Sequence, residues 1–144
     1  MTKTIFAEIE IDAPAEEVWA ALADLPAYPD WNPFIREASG TVAVGETLVL
    51  RMHPAHGRPI TFKPKVLAAE RGVELRWFGK LLLPGLFDGE HGFRLSPTGT
   101  GGTLLVQSEN FSGVLVPVTG GAIERTKEDF TALNEALKKY VENR

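Results

Sequence analysis

Most of the chain alternates between apolar and polar residues, a pattern typical of strands with one buried face. In residues 4–11, TIFAEIEI, the apolar side chains of Ile5, Ala7, Ile9 and Ile11 share one face. Further strand-like runs cover residues 35–42, 46–53, 59–69, 73–79, 87–96 and 103–112. Short, turn-rich connections separate these runs, so consecutive strands should pair antiparallel.

Two segments repeat their apolar residues with a helical period instead. The first is DAPAEEVWAALADL, in which Pro14 suits a first helical turn. Pro26 and Pro29 stop it, and AYPDWNPF then forms a compact turn with one short helical turn. The second segment covers about residues 121–142, and its apolar stripe consists of Ile123, Phe130, Leu133, Leu137 and Tyr140.

The order of these elements predicts an α+β fold in one domain that spans residues 1–144. We expect a curved, seven-stranded antiparallel sheet wrapped around the long C-terminal helix, with two short helices after the first strand. Such a sheet encloses more space than one helix fills. An internal cavity between the sheet and the helix is therefore expected.

The composition of the chain disfavours several classes of function. The net charge of −4 and the lack of a basic stripe disfavour nucleic-acid binding. The chain has no cysteine, which excludes thiolate chemistry and fits a cytoplasmic location. Its apolar runs are too short to cross a bilayer, and the first residues lack the apolar region of a signal peptide, so we expect no stable membrane insertion.

No motif for a metal or another cofactor is recognised, and none is expected. The three histidines, His53, His56 and His91, have no spacing typical of a metal site. PTGTGG lacks the Lys-Ser/Thr that follows a phosphate-binding loop and is interpreted as a hairpin turn.

The FDGEHGFRL run places polar residues in a strand that otherwise looks buried. With Gly99 at the centre of the PTGTGG turn, His91 pairs with Gln107, and Gly89 pairs with Glu109. The alternation then predicts an inner face formed by Phe87, His91, Phe93, Leu95, Leu105, Gln107, Glu109 and Phe111.

A carboxylate on this inner face is costly to bury unless it has a partner. His91 and Glu109 are therefore candidate members of a catalytic acid–base pair. Two alternatives stay open at this point. The polar side chains could form a satisfied network that only stabilises the core, or they could orient a ligand.

Three segments resemble a known superfamily: IDAPAEEVWAALADLPAYPDWNPF at 11–34, FDGEHGFRL at 87–95 and QSENFSGVLVP at 107–117. They are similar to the START-like superfamily, also called SRPBCC or Bet v 1-like, and within it to bacterial polyketide cyclase/dehydrase-type proteins. The resemblance implies the helix-grip fold along the whole chain. It does not select a function, because the superfamily includes lipid carriers, hormone receptors and aromatase/cyclases.

The leading hypothesis is binding or transport of a hydrophobic small molecule, either a lipid or an aromatic, polyketide-like compound, in the internal cavity. The predicted ligand-binding residues are Trp77, Phe87, His91, Phe93, Gln107, Glu109, Phe111, Phe130 and Leu133. The first alternative is a cyclase or dehydratase-type enzyme that uses His91 and Glu109 as acid and base.

A second alternative is a protein that binds a partner through apolar loops. Loops 53–59, 80–86 and 113–121 are alternate connections and should lie at one end of the sheet, and the last two are unusually apolar. They could gate the cavity mouth. They could equally pack against the long helix or form a homodimer contact.

Overall fold

The computed structural model describes residues 2–80, 88–113 and 115–144. Strands in this part of the chain are β1 (Thr2–Ile11), β2 (Ile35–Ser39), β3 (Val49–Met52), β4 (Ile60–Phe62), β5 (Lys65–Glu70), β6 (Glu74–Lys80), β7 (Asp88–Pro97) and β8 (Thr103–Ser112). Its α-helices are α1 (Ala15–Ala23), α2 (Tyr28–Trp31) and α3 (Gly120–Glu142), and short 3-10 turns occur at Leu25–Ala27 and Val116–Val118.

The strands form two antiparallel sheets, one in the order β1-β8-β7-β6-β5 and the other in the order β2-β3-β4. An isolated bridge between Thr47 and Lys65 links the segment before β3 to β5. The buried face of α3, with Phe130, Leu133 and Leu137, belongs to the same apolar core as the sheets. The predicted helix-grip fold is therefore confirmed, including the two short helices after the first strand.

One predicted strand is wrong in detail. Residues 59–69 form two strands rather than one, because the ladder is interrupted at Pro64 between β4 and β5. Proline has no backbone N–H to donate, so it rarely continues a central strand. The described residues consequently contain eight strands where the pattern predicted seven.

The predicted register of the β7–β8 hairpin is also wrong, by two residues. His91 lies opposite Glu109 instead of Gln107, and the turn is centred near Thr100 instead of Gly99. Side chains alternate with a period of two, so a shift of two residues leaves every side chain on its predicted face. The inward prediction for His91 is therefore confirmed despite the error.

The segment between α1 and β2 is tied to the C-terminal helix by aromatic rings. Trp31 stacks on Tyr140 of α3 at a centroid distance of 5.8 Å and meets Tyr28 edge-on at 5.2 Å. Beside it, Asn32 Oδ1 accepts hydrogen bonds from the backbone N–H groups of Phe34 and Ile35. These contacts turn the chain into β2 and bring Phe34 over α3.

The two sheets meet where Phe62 of β4 packs on Gly79 of β6. A Cβ atom built on Gly79 would lie 2.2 Å from Cζ of Phe62. No such contact is tolerated, so glycine is required here if the phenyl ring is to keep its place.

We expect Gly79→Ala to reduce the free energy of unfolding by about 1–3 kcal/mol, the usual cost of overpacking a core. Urea unfolding measures this change. Gly99→Ala is the matched control, because a Cβ atom there meets nothing within 4 Å and Gly99 does not have a positive φ. Equal stability of the two variants would contradict the packing described for Phe62.

Candidate functional site: an apolar cavity backed by a buried polar network

A cavity of about 140 Å³ lies between the β2–β4 sheet, β8 and α3. One wall is apolar and is formed by Phe34, Met52, Pro54, Ile60 and Phe62. The opposite wall is formed by Glu109, Phe111, Ala122, Ile123, Thr126 and Asp129. A cavity of about 150 Å³ can hold a benzene molecule, so this one has room for a single ring.

The structure brings only part of the predicted site to this cavity. Glu109 and Phe111 line it, and His91 and Gln107 lie behind Glu109 in the core. The other described candidates, Trp77, Phe93, Phe130 and Leu133, are buried but are not among the lining residues. All four belong to the apolar core. Phe87 lies outside the described residues.

Asp129 is the site residue that the sequence reasoning missed. It is buried on α3 directly before Phe130, and it lines the cavity together with Thr126 and Ala122. These residues are spaced by three and four positions, so they share one helix face. That spacing was visible in the sequence and is the signal that could have identified Asp129.

His91 and Glu109 form a buried pair. His91 Nδ1 lies 2.7 Å from Oε1 of Glu109, and its Nε2 lies 2.9 Å from Oε1 of Gln107. The imidazole ring stacks on Trp77 at a centroid distance of 5.3 Å and meets Phe130 edge-on at 4.8 Å. Hydrogen bonds at both ring nitrogens and aromatic contacts on its face hold the ring in one orientation.

The network continues from Gln107 to the helix and to the first strand. Gln107 Nε2 donates to the backbone oxygen of Phe130 at 3.1 Å and to Oδ1 of Asn134 at 2.8 Å. Asn134 Nδ2 in turn donates to the backbone oxygen of Ala7 at 3.1 Å. The polar chain therefore connects β8, α3 and β1 through the core.

The two backbone carbonyls determine where the protons of this network lie. A carbonyl oxygen only accepts, so the amide nitrogens of Asn134 and Gln107 must face them. Gln107 Oε1 then faces His91 as an acceptor, and His91 Nε2 must carry a hydrogen. The remaining proton is shared between Nδ1 of His91 and Oε1 of Glu109, either as an ion pair or as a neutral acid and imidazole.

Gly89 makes room for the second carboxyl oxygen of Glu109. A Cβ atom built on Gly89 would lie 2.3 Å from Oε2. Glycine in a strand often marks a bulge, but the β6–β7 and β7–β8 ladders are continuous on both sides of Gly89. The close approach of the carboxylate gives glycine a different role at this position.

Asp129 attaches the loop between β3 and β4 to α3. The backbone N–H of Ala55 donates to Asp129 Oδ1 at 2.8 Å, and His56 Nε2 lies 2.7 Å from Oε2 of Glu128. Burial raises the pKa of Asp129, and the Ala55 hydrogen bond offsets part of that rise.

These contacts bear on the three loops predicted at the cavity mouth. The 53–59 loop packs against the long helix, which is one of the alternatives stated above. The 80–86 loop falls almost wholly outside the described residues, as does Val114 of the third loop.

In the described ranges no three His, Asp or Glu side chains are arranged to hold a metal ion. No helix in those ranges is long and apolar enough to span a membrane.

We expect the Gln107–Asn134 hydrogen bond to appear as a coupling energy in unfolding measurements. Gln107→Leu and Asn134→Leu each leave buried groups without a partner, at a cost of about 1–3 kcal/mol per group. The double variant removes both partners, so it should cost less than the sum by about 0.5–3 kcal/mol.

A surface pair provides the control for this cycle. Thr4 donates to Asn110 on the exposed side of β1 and β8. Thr4→Val combined with Asn110→Leu should therefore show a much smaller coupling energy. Strict additivity for Gln107 and Asn134 would mean that the buried chain is not formed as described.

Solved structures with the same fold are known. The aromatase/cyclase Zhui from Streptomyces sp. R1128 is 18% identical, with a TM-score of 0.80 over 100% of this chain and 96% of that one. A START superfamily protein from Mycobacterium smegmatis is 24% identical, with a TM-score of 0.77 over 97% of both chains. Norcoclaurine synthase from Thalictrum flavum is 19% identical, with a TM-score of 0.75 over 100% of this chain and 88% of that one.

At these identities the similarities establish the fold alone. No curated protein sequence matches the chain. A family model does match it, over residues 2–142 and therefore over nearly the whole length. The chain belongs to the family described as Polyketide cyclase / dehydrase and lipid transport.

Proposed function

We propose that this protein binds a hydrophobic small molecule, with a ring-sized portion of that molecule held in the cavity between the β2–β4 sheet, β8 and α3. The observation that carries the proposal is an apolar cavity with a buried carboxyl group, Glu109, in its wall. Pockets for small molecules combine apolar walls with a few placed polar groups in this way. The family description, which names polyketide chemistry and lipid transport, supports the same ligand class.

The buried acid in the wall supports a binding role over a purely structural one. Burial of a carboxyl group such as Glu109 has a desolvation cost that its bond to His91 must offset. An apolar side chain in the same position would avoid that cost, so a carboxyl group there fits a wall that contacts a polar group of a ligand.

Other expectations from the sequence stay predictions. The lack of cysteine and the net charge of −4 still favour a cytoplasmic protein that does not bind nucleic acid. A homodimer, or a partner that contacts the apolar loops, also stays a prediction.

We expect wild-type protein to bind ethylbenzene and 4-ethylphenol, and Ala122→Trp to weaken both by at least tenfold, as measured by calorimetry. Ala122 is an exposed residue that lines the cavity, so a large ring there obstructs the mouth. Ala132→Trp is the matched control, because Ala132 is exposed on the same helix but does not line this cavity. Equal loss in both variants, or no binding by wild type, would refute the proposed site.

Proton transfer in a cyclase or dehydratase-type reaction is a second candidate function. The contact of 2.7 Å between His91 and Glu109 favours it, because an acid–base pair requires hydrogen-bond distance. Glu109 lines the cavity and would touch the substrate, whereas His91 would position and polarise it. In a dehydration, Glu109 would take a proton from carbon and return it to the departing hydroxyl, which leaves as water.

If this second function operates, Glu109→Gln should lower kcat on single-ring polyketide-type substrates by about 10²-fold or more, the usual contribution of a positioned base. Glu90→Gln is the matched control, since Glu90 lies on the outer face of the neighbouring strand β7 and pairs with Arg76. Steady-state turnover of the purified proteins measures the effect. No turnover by wild type, or full turnover by Glu109→Gln, would exclude this function.

A further inference from the structure

The described polar side chains in the cavity wall are carboxyl and hydroxyl groups, and none of them is a cation. Among the lining residues that the structure describes, the polar side chains belong to Glu109, Thr126 and Asp129, and none belongs to lysine, arginine or histidine. The hydrogen-bonding capacity of these three side chains therefore decides which ligand head group the cavity accepts.

Two of the three side chains on this wall come from α3 and offer acceptors. The Thr126 hydroxyl donates its only hydrogen to the backbone oxygen of Ala122 at 2.9 Å, which leaves its lone pairs for a ligand. Asp129 accepts from the N–H of Ala55 through Oδ1, and this hydrogen bond favours the ionised form of the side chain, which only accepts. With Asp129 ionised, neither residue presents a hydrogen to the cavity.

Glu109 presents an acceptor in both proton arrangements of its pair with His91. The shared proton lies between Nδ1 of His91 and Oε1 of Glu109, so Oε2 is either a carboxylate oxygen or the carbonyl oxygen of the neutral acid. The backbone carbonyls of Phe130 and Ala7 determine which way each hydrogen bond of the buried network points. Oε2 of Glu109 is therefore an acceptor whether the shared proton is on His91 or on Glu109.

We propose that the cavity selects ligands that bring a hydrogen-bond donor, a hydroxyl or an ammonium group, on an apolar ring-sized body, and that it rejects carboxylates. This inference rests on the proposed binding function and names the ligand class for it. A carboxylate would be desolvated beside Glu109 and Asp129 with no cation to pair with, and like charges in a low dielectric repel strongly.

A matched ligand series tests the selection, with calorimetry on the full chain at pH 7. The probes are 4-ethylphenol, 4-ethylbenzylamine, 4-ethylanisole and 4-ethylbenzoate, which share one apolar body. We expect the phenol, the amine or both to bind at least tenfold tighter than the anisole, which has no donor. Comparison of the affinities for the phenol and the amine shows whether a hydroxyl or an ammonium group is preferred. The benzoate should bind weakest.

Substitution of the acids shows whether they cause the selection. Glu109→Gln removes a carboxyl group and its capacity for negative charge from the wall, so the affinity for 4-ethylbenzoate relative to 4-ethylphenol should rise at least tenfold. Asp129→Asn should act in the same direction and serves as a second variant if Glu109→Gln folds poorly. Glu135→Gln is the control, since Glu135 is exposed on α3 and does not line the cavity.

The outcomes separate this inference from the proposed function. Binding of ethylbenzene and of the series, with the benzoate as tight as the phenol or the anisole as tight as both donors, would overturn the selection and leave the binding site intact. An unchanged ligand order in both acid variants would also overturn it. Failure of every probe, including ethylbenzene, would overturn both.

Discussion

The hydrogen-bond chain from Glu109 through His91, Gln107 and Asn134 to the backbone of Ala7 is the constraint on which the rest of the structure depends. Each member is buried, and a buried polar group without a partner costs about 1–3 kcal/mol. A shift of α3 along the sheet would break bonds of this chain without replacing them. The chain therefore holds the helix in place and determines the chemistry of the cavity wall at the same time.

Much of the fold could be predicted because alternation depends on burial alone. The pattern identified the inner face of the β7–β8 hairpin, and the burial of His91, Gln107 and Glu109 agrees with it. The register could not be predicted, because it depends on how many residues the turn uses, and PTGTGG is compatible with more than one turn. The break at Pro64 does not disturb the alternation, because Ile60, Phe62 and Val66 keep one period across it, so the pattern predicts a single strand there.

The candidate site was harder to predict, because a cavity is what remains after side chains have packed. Phe130 and Leu133 were expected to line it, but both are buried in the apolar core and neither is among its lining residues. The cavity lies further toward the N-terminal end of α3, beside Ala122 and Asp129. The position of a cavity depends on the packed volumes of side chains that are distant in sequence. The alternation of apolar and polar residues contains no information about those volumes.

The network also explains why a shared fold need not imply a shared ligand. Structures with 18–24% identity have the same helix-grip scaffold, yet the hydrogen-bonding groups in a cavity wall depend on a few side chains. Here the backbone carbonyls of Ala7 and Phe130 orient two amides, and those amides orient His91. Oε2 of Glu109 is consequently an acceptor because of groups that do not line the cavity. A change at Asn134, which is not a lining residue, would alter the wall through the same chain.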